Sequence, residues 1–318
     1  MISTDSGNVS SLGDTAYGFK VDSKYKNISK DDYYSLCYED TGISIVGGNS
    51  PKGQNISTFS FHKDRTSHGH FSPLNFTLIL DDNKILVDSG GSYAYGEKFR
   101  FDYIISNFAH NCITVDGNNS KDGCEYIDSK SGPISFVSAS SKSENSEITR
   151  TVVSLNGQLF IIFDKILSKN KSNIDTFWHF PPNIKSISHD DVLLDNRIEF
   201  QSSKKSKFLN YVLEIEDCKY LLSVSSSNLY SKSLYYGFSG KQPQGWVTTR
   251  HRTIEPAHCL IISGEKLKNM HNSTIVFNQE SDYEILSQSY NEVLLSSDEF
   301  GMVRIRMSDN VPIVDYIQ

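Results

Sequence analysis

The sequence predicts an all-β protein: a large sandwich of two antiparallel sheets, with C-terminal strands that either complete it or form a small sheet of their own. Three observations carry this expectation. The 318 residues include 18 Phe and 17 Tyr, residues that favour pleated, half-buried surfaces. From Thr41 onward short apolar runs alternate with turn residues, the pattern of strands joined by hairpins. No long stretch carries the period of an amphipathic helix.

Residues 1–38 are polar and rich in Ser, Lys, Asp and Tyr, with weak periodicity, and read as an irregular lead-in. The sandwich is expected over 39–265. Its first strands are Gly42–Val46, Thr58–Phe61 and Phe76–Leu80. Leu80–Asp88 sets Asp81-Asp82-Asn83 between two apolar runs, the signature of a hairpin. A second hairpin is predicted over Thr151–Phe163, turning at Asn156-Gly157, and a third between Phe208 and Leu222. Beyond residue 265, Ser273–Phe277, Tyr283–Leu286 and Met302–Met307 read as strands of the 266–318 segment.

Bulk properties narrow the function. The net charge is −7, spread without blocks, which argues against nucleic acid or an anionic membrane as a partner. An acidic ligand would need a local cluster of cations. The five cysteines, Cys37, Cys112, Cys124, Cys218 and Cys259, contain no CxxC pair and read as free thiols. No run approaches the length of a membrane span. The first residues lack the basic and apolar regions of a secretion signal, which an upstream segment could have carried, so localisation stays open.

Chemistry-bearing residues concentrate in Ser67-His68-Gly69-His70, Asp88-Ser89-Gly90-Gly91, Tyr93, Tyr95, Arg100 and Ala109-His110-Asn111, a stretch holding three of nine histidines. On an extended strand His68 and His70 would share one face. Asp88 on a hairpin strand and His110 on a third strand could complete a His/Asp/His set suited to zinc. The bland reading is a hydrogen-bonded His pair, a turn-forming Asp88 and a satisfied buried His110. A jelly-roll metal site would want a Glu soon after the pair, where Pro73-Leu74-Asn75 stand instead.

Taken in order, these motifs resemble the heparinase II/III family of polysaccharide lyases. The similarity rests on His68, Gly69, His70, Leu74 and Phe76, then Val87-Asp88-Ser89-Gly90, Tyr93, Tyr95, Arg100 and Ala109-His110-Asn111. It continues through Thr149-Arg150-Thr151-Val152-Val153 with Asp164 and through Gly245-Trp246-Val247 to Pro256, and Leu12-Gly13-Asp14 is similar to the family's inter-domain segment. Ser72 stands where the family has Asp. The family's N-terminal α/α toroid, which supplies the catalytic Tyr and its partners, has no counterpart in the sequence. The resemblance implies the family's C-terminal β-sandwich fold and one structural zinc held by His70, Asp88 and His110. It implies a catalytic position facing the glycan for His68, and Tyr93, Tyr95 and Arg100 along the cleft.

The implied chemistry is β-elimination beside a uronic acid. The carboxylate of an acidic polysaccharide must be neutralised, the C5 proton removed and the departing O4 protonated. His68 and Arg100 suit the first task, and base and acid are expected from a helical toroid domain or subunit. Two other readings stay open: a non-catalytic glycan-binding or assembly module, and another metal-dependent β-sandwich enzyme. A paired-carboxylate hydrolase is disfavoured, because no Asp/Glu pair stands out in the motif region.

Overall fold

In the computed structural model, the described residues are 3–4, 6–10, 12, 15, 17, 20, 33–62, 69–91, 95–118, 123–189, 192–194 and 200–317. His68, Tyr93, Gly13 and Asp14 lie outside them. Among the described residues the regular structure is almost entirely strand, as the alternating pattern predicts.

The first sheet runs in chain order: β1 (Tyr33–Tyr38), β2 (Ile43–Ser50), β3 (Gly53–Ser60), β4 (Asn75–Leu80) and β5 (Asn83–Leu86). β1 occupies the end of the segment expected to be irregular, because its backbone pairs with β2 from Tyr33↔Gly48 to Tyr38↔Ile43. The turn between β4 and β5 is the predicted one, with Asp81 and Asp82 at φ 52 and 63. Two consecutive positive φ values match the right-handed twist of a tight hairpin.

The second sheet is larger. It comprises β6 (Ile113–Val115), β7 (Cys124–Lys130), β8 (Ile134–Lys142), β9 (Ser146–Leu155), β10 (Leu159–His179), β11 (Ser186–His189), β12 (Val192–Leu194), β13 (Phe200–Ile215), β14 (Cys218–Tyr236) and, after an excursion, β17 (His258–Asn278). The excursion is a separate hairpin, β15 (Trp246–Arg250) with β16 (Thr253–Pro256). The path across the sheet is β12-β11-β13-β14-β17-β10-β9-β8-β7, with β6 pairing β10 alongside it. Asn156-Gly157 forms the predicted β9–β10 turn, with φ 48 and 66.

β17 passes through residue 265 without a break. Four further strands, β18 (Glu284–Gln288), β19 (Glu292–Ser297), β20 (Gly301–Ser308) and β21 (Val311–Ile317), form a sheet of their own. The 266–318 segment thus divides: residues 266–278, including the expected strand Ser273–Phe277, continue β17 in the large sheet, and the strands from Glu284 onward make the small sheet.

Two cores result. Phe59, Phe76 and Leu78 of the first sheet meet Phe160, Ile162, Trp178 and Leu222 of the large one, which is the sandwich proper. On the other face of the large sheet, Val153, Ile161, Phe163 and Ile275 pack against Val293, Leu295, Val303 and Ile305 of the C-terminal sheet. The run Leu159–Phe163 is therefore buried on both sides, and for that reason it lacks the alternation of a half-exposed strand. Cys112, Cys124, Cys218 and Cys259 are buried free thiols, and Cys37 is half-buried. Among the described residues no helix is long and apolar enough to cross a membrane.

Candidate functional site

The sequence reading put the motif residues on strands, and the structure does not. His70 lies in the loop leading into β4, Asp88 in the loop after β5, and His110 in a turn that follows a short π-helix (Arg100–Ile104) and a 3-10 helix (Asn107–Ala109). These helical pieces are one turn each, too short to impose a period on the sequence. The loops are tied together by their backbones. Phe71 N–H donates to Ile105 carbonyl (2.8 Å), Ser89 N–H to Ala109 carbonyl (3.1 Å) and Val87 N–H to His179 carbonyl (3.0 Å).

Those ties bring His70, Asp88 and His110 together. One ligand-type atom from each lies within 4.8 Å of the others, and among the described residues this is the one such group. All three are buried, at 2%, 1% and 0% exposure. His110 Nδ1–H donates to Asp88 Oδ1 (2.8 Å), which also accepts Gly90 N–H (2.9 Å), while Asp88 Oδ2 accepts from Asn75 Nδ2 (2.8 Å). The two imidazole centroids are 5.2 Å apart. Gly90 makes this approach possible: a Cβ there would stand 2.7 Å from His110 Cε1 and 2.7 Å from His70 Nδ1.

The set passes a test for a metal. His110 Nε2 is buried and has no hydrogen-bond partner among the described residues, which costs desolvation free energy unless something else occupies it. Two imidazoles and a carboxylate suit zinc.

A layer of support surrounds the set. Asn75 holds Asp88 with its amide nitrogen and accepts Asn111 N–H with its oxygen (3.0 Å). Asn111 Nδ2 donates to the carbonyls of Phe76 (2.8 Å) and Val87 (3.0 Å), and its Oδ1 accepts His179 N–H (2.6 Å). Arg150, fully buried, pairs with Asp164 through Nε (2.7 Å) and Nη2 (3.1 Å). Its Nη1 donates to the carbonyls of Leu74 (2.8 Å) and Asn111 (2.5 Å). Its guanidinium lies 5.2 Å from the Trp178 ring centre. Arg150 thus spans the chain just after His70 and the chain just after His110. The Arg-Thr-Val and Asp164 motifs marked these positions without saying what they touch, and nothing local marked Asn75.

Other groups nearby are held neutral. Burial, followed by the neighbouring His110, pushes His179 down to about 3, and its Nε2 lies 3.0 Å from Phe108 carbonyl. Burial also lowers His62, with His110 again the second cause. Tyr103, in the π-helix, is wholly buried with its hydroxyl donating to Trp246 carbonyl (3.1 Å), and burial raises its pKa far above the ordinary phenol value.

Of the expected cleft residues, Arg100 begins the π-helix whose last carbonyl, Ile104, lies against Gly90. The Arg100 guanidinium sits 4.4 Å from the ring centre of Tyr95, which is 58% exposed. His68 and Tyr93 fall outside the described residues.

Known proteins bear on the fold. The structure resembles the "Heparinase III-BT4657 gene product" with a TM-score of 0.63 at 12% identity, covering 91% of this chain and 43% of that one. It resembles heparan sulfate lyase HepC from Pedobacter heparinus with a TM-score of 0.65 at 12% identity, covering 93% and 44%. The chain therefore spans less than half the length of these structures, and the likeness is one of fold. No curated protein matches the sequence. Residues 60–228, more than half of the chain, match the family "Heparinase II/III-like, C-terminal", so this chain belongs to the heparinase II/III-like C-terminal family.

Proposed function

We propose that this chain is the β-sandwich portion of a polysaccharide lyase that cleaves uronic-acid-containing glycans by β-elimination, with a helical toroid domain or subunit completing the active site. The observation that carries the proposal is the buried His110 Nε2, without a hydrogen-bond partner among the described residues, beside His70 and Asp88. These residues would hold one zinc ion. The ion would serve structurally, fixing three loops to one another.

The chain's own contribution to the reaction is electrostatic. His68 and Arg100 would face the uronate carboxylate and draw off its negative charge, which makes the C5 proton easier to remove. A base takes that proton, the C4–O4 bond breaks to leave a C4–C5 double bond, and an acid protonates the departing oxygen. Tyr103 is unsuited to act as the base, being buried, hydrogen-bonded and raised in pKa. This supports a base supplied by the helical partner. The heparinase III and heparan sulfate lyase structures that share the fold support an acidic polysaccharide as the substrate class.

The test has two arms. The purified chain should contain one zinc, and a chelator should lower its Tm. Incubation with a panel of uronate polysaccharides, alone and with the helical partner, should give the ultraviolet absorbance of the unsaturated product only with the partner. Metal-free chain of undiminished Tm, together with no product on any uronate glycan, would refute the proposal. Glycan binding without product under both conditions would favour a non-catalytic glycan-binding module instead.

A further inference from the structure

A second polar site lies on the opposite face of the large sheet. Residues alternate across that sheet. Arg150 and Asp164 point between the two sandwich sheets, so Thr149, Thr151 and Lys165 point the other way, with His271 beside Lys165 as its cross-strand partner. Over them the C-terminal sheet leaves a cavity of about 240 Å³. Its floor is β9, β10 and β17, and its walls are the β18–β19 and β20–β21 turns.

The walls are preformed. Asp309-Asn310 is a tight turn with φ 48 and 73. Asn310 is pinned on both sides, its carbonyl accepting from the Thr151 hydroxyl (3.3 Å) and its Oδ1 from Lys165 Nζ (3.2 Å). The other wall is fastened by Met307 N–H donating to Asn291 carbonyl (2.9 Å). Tyr290 stands at the mouth, 39% exposed, edge-on to His271 at 5.8 Å.

A void left by imperfect packing between sheets would be lined by apolar side chains. Phe163 and Met307 border this one, but so do an ammonium, an imidazole, two carboxamides, a carboxylate and two threonines, with an aromatic face at its entrance. Among the described residues Lys165 makes no ion pair and donates instead to the neutral Oδ1 of Asn310. Because Lys165 and Asp309 both border the space, it has mixed donors and acceptors and no single sign of charge. That lining fits a ring studded with hydroxyls and bare on one face. The volume is below the roughly 300–1,000 Å³ of pockets for drug-sized ligands, so it suits one ring and not a chain.

We propose that this cavity is a non-catalytic carbohydrate site taking a single pyranose ring, with Tyr290 against its C–H face and Lys165, Asn291, Asp309 and Asn310 on its hydroxyls. Only the choice of a uronate as one probe rests on the lyase reading. The site itself needs neither the metal nor elimination chemistry.

The test is a titration of the full chain, histidine-labelled for NMR, with D-glucose, D-glucuronate and glycerol in separate samples. The His271 ring signal is identified by its loss in His271→Gln. At least one sugar should move that signal with millimolar affinity, and Tyr290→Ala and Lys165→Ala should each weaken binding by about twofold to tenfold, the range of one aromatic or polar contact. A shift with glucose alone or glucuronate alone still supports the site and says which ring it prefers. An unmoved His271 signal with both sugars, or an equal shift with glycerol, overturns the proposal. Arg100→Ala should leave the titration unchanged. A sugar response at His271, with no elimination product from any uronate glycan even when the helical partner is added, would sink the lyase reading and spare this site, and the converse result would do the reverse.

Discussion

Arg150 offers the sharpest test of how the candidate metal centre is supported. Arg150→Ala removes a wholly buried guanidinium with five contacts: two hydrogen bonds to Asp164, one each to the Leu74 and Asn111 carbonyls, and the Trp178 ring. Leaving the Asp164 carboxylate buried and unpaired costs about 3–5 kcal/mol. Each orphaned carbonyl adds about 1 kcal/mol or more. These contributions overlap, so the expected loss is at least about 4 kcal/mol, read from urea midpoints at constant m-value. Asp164→Leu in the Arg150→Met background removes the stranded charge, so the double variant should regain much of that stability. It cannot regain the bridge from Leu74 to Asn111. Zinc affinity, measured by competition with a chromogenic chelator, should therefore stay reduced in the double variant. Wild-type zinc affinity in that variant, or a loss below about 1 kcal/mol in Arg150→Ala, would refute the claim that Arg150 aligns the two histidine-bearing loops.

Three further outcomes are expected. His70→Ala should abolish zinc binding and lower Tm, whereas His68→Ala should keep the zinc and weaken glycan binding or turnover; equal zinc loss in both would end that division of roles. Gly90→Ala drives a methyl to 2.7 Å from both imidazoles and 2.9 Å from Ile104 carbonyl, so it should cost about 1–3 kcal/mol together with metal affinity, and a neutral result would show that the rings do not need to approach so closely. Burial pushes His258 down from 6.5 to about 4, so the stability it confers is complete above pH 6.5 and drains away as pH falls toward 4. Urea midpoints across that window should fall more steeply for wild type than for His258→Gln, by about 1.4 kcal/mol per pH unit, and parallel slopes would contradict this.

Local pattern made the strands and their turns readable. Asp81-Asp82 and Asn156-Gly157 announce hairpins because few other pairs accept two positive φ values. The division into layers was harder to read. Leu159–Phe163 is an unbroken apolar run because it serves two cores, and nothing within the run names its second partner. The candidate metal residues were visible through their motifs, although not their setting in loops, since His70, Asp88 and His110 are held by backbone ties to Ile105, His179 and Ala109. Asn75 and Gly90 were invisible in those roles. What they do is set by contacts with Asp88, Asn111, His70 and His110 in three dimensions, and no spacing rule encodes a carboxamide that clamps a carboxylate on a neighbouring loop.

The double duty of the large sheet also bears on how the molecule is made. Val153, Ile161, Phe163 and Ile275 are covered by strands that leave the ribosome after the whole of the large sheet. Until those strands dock, the nascent sandwich carries a greasy flank flush with its widest sheet, the kind of surface on which partly folded chains stick to one another. The closing sheet thus acts as a built-in guard against self-association, and shortening it would harm yield and solubility before it touched any chemistry.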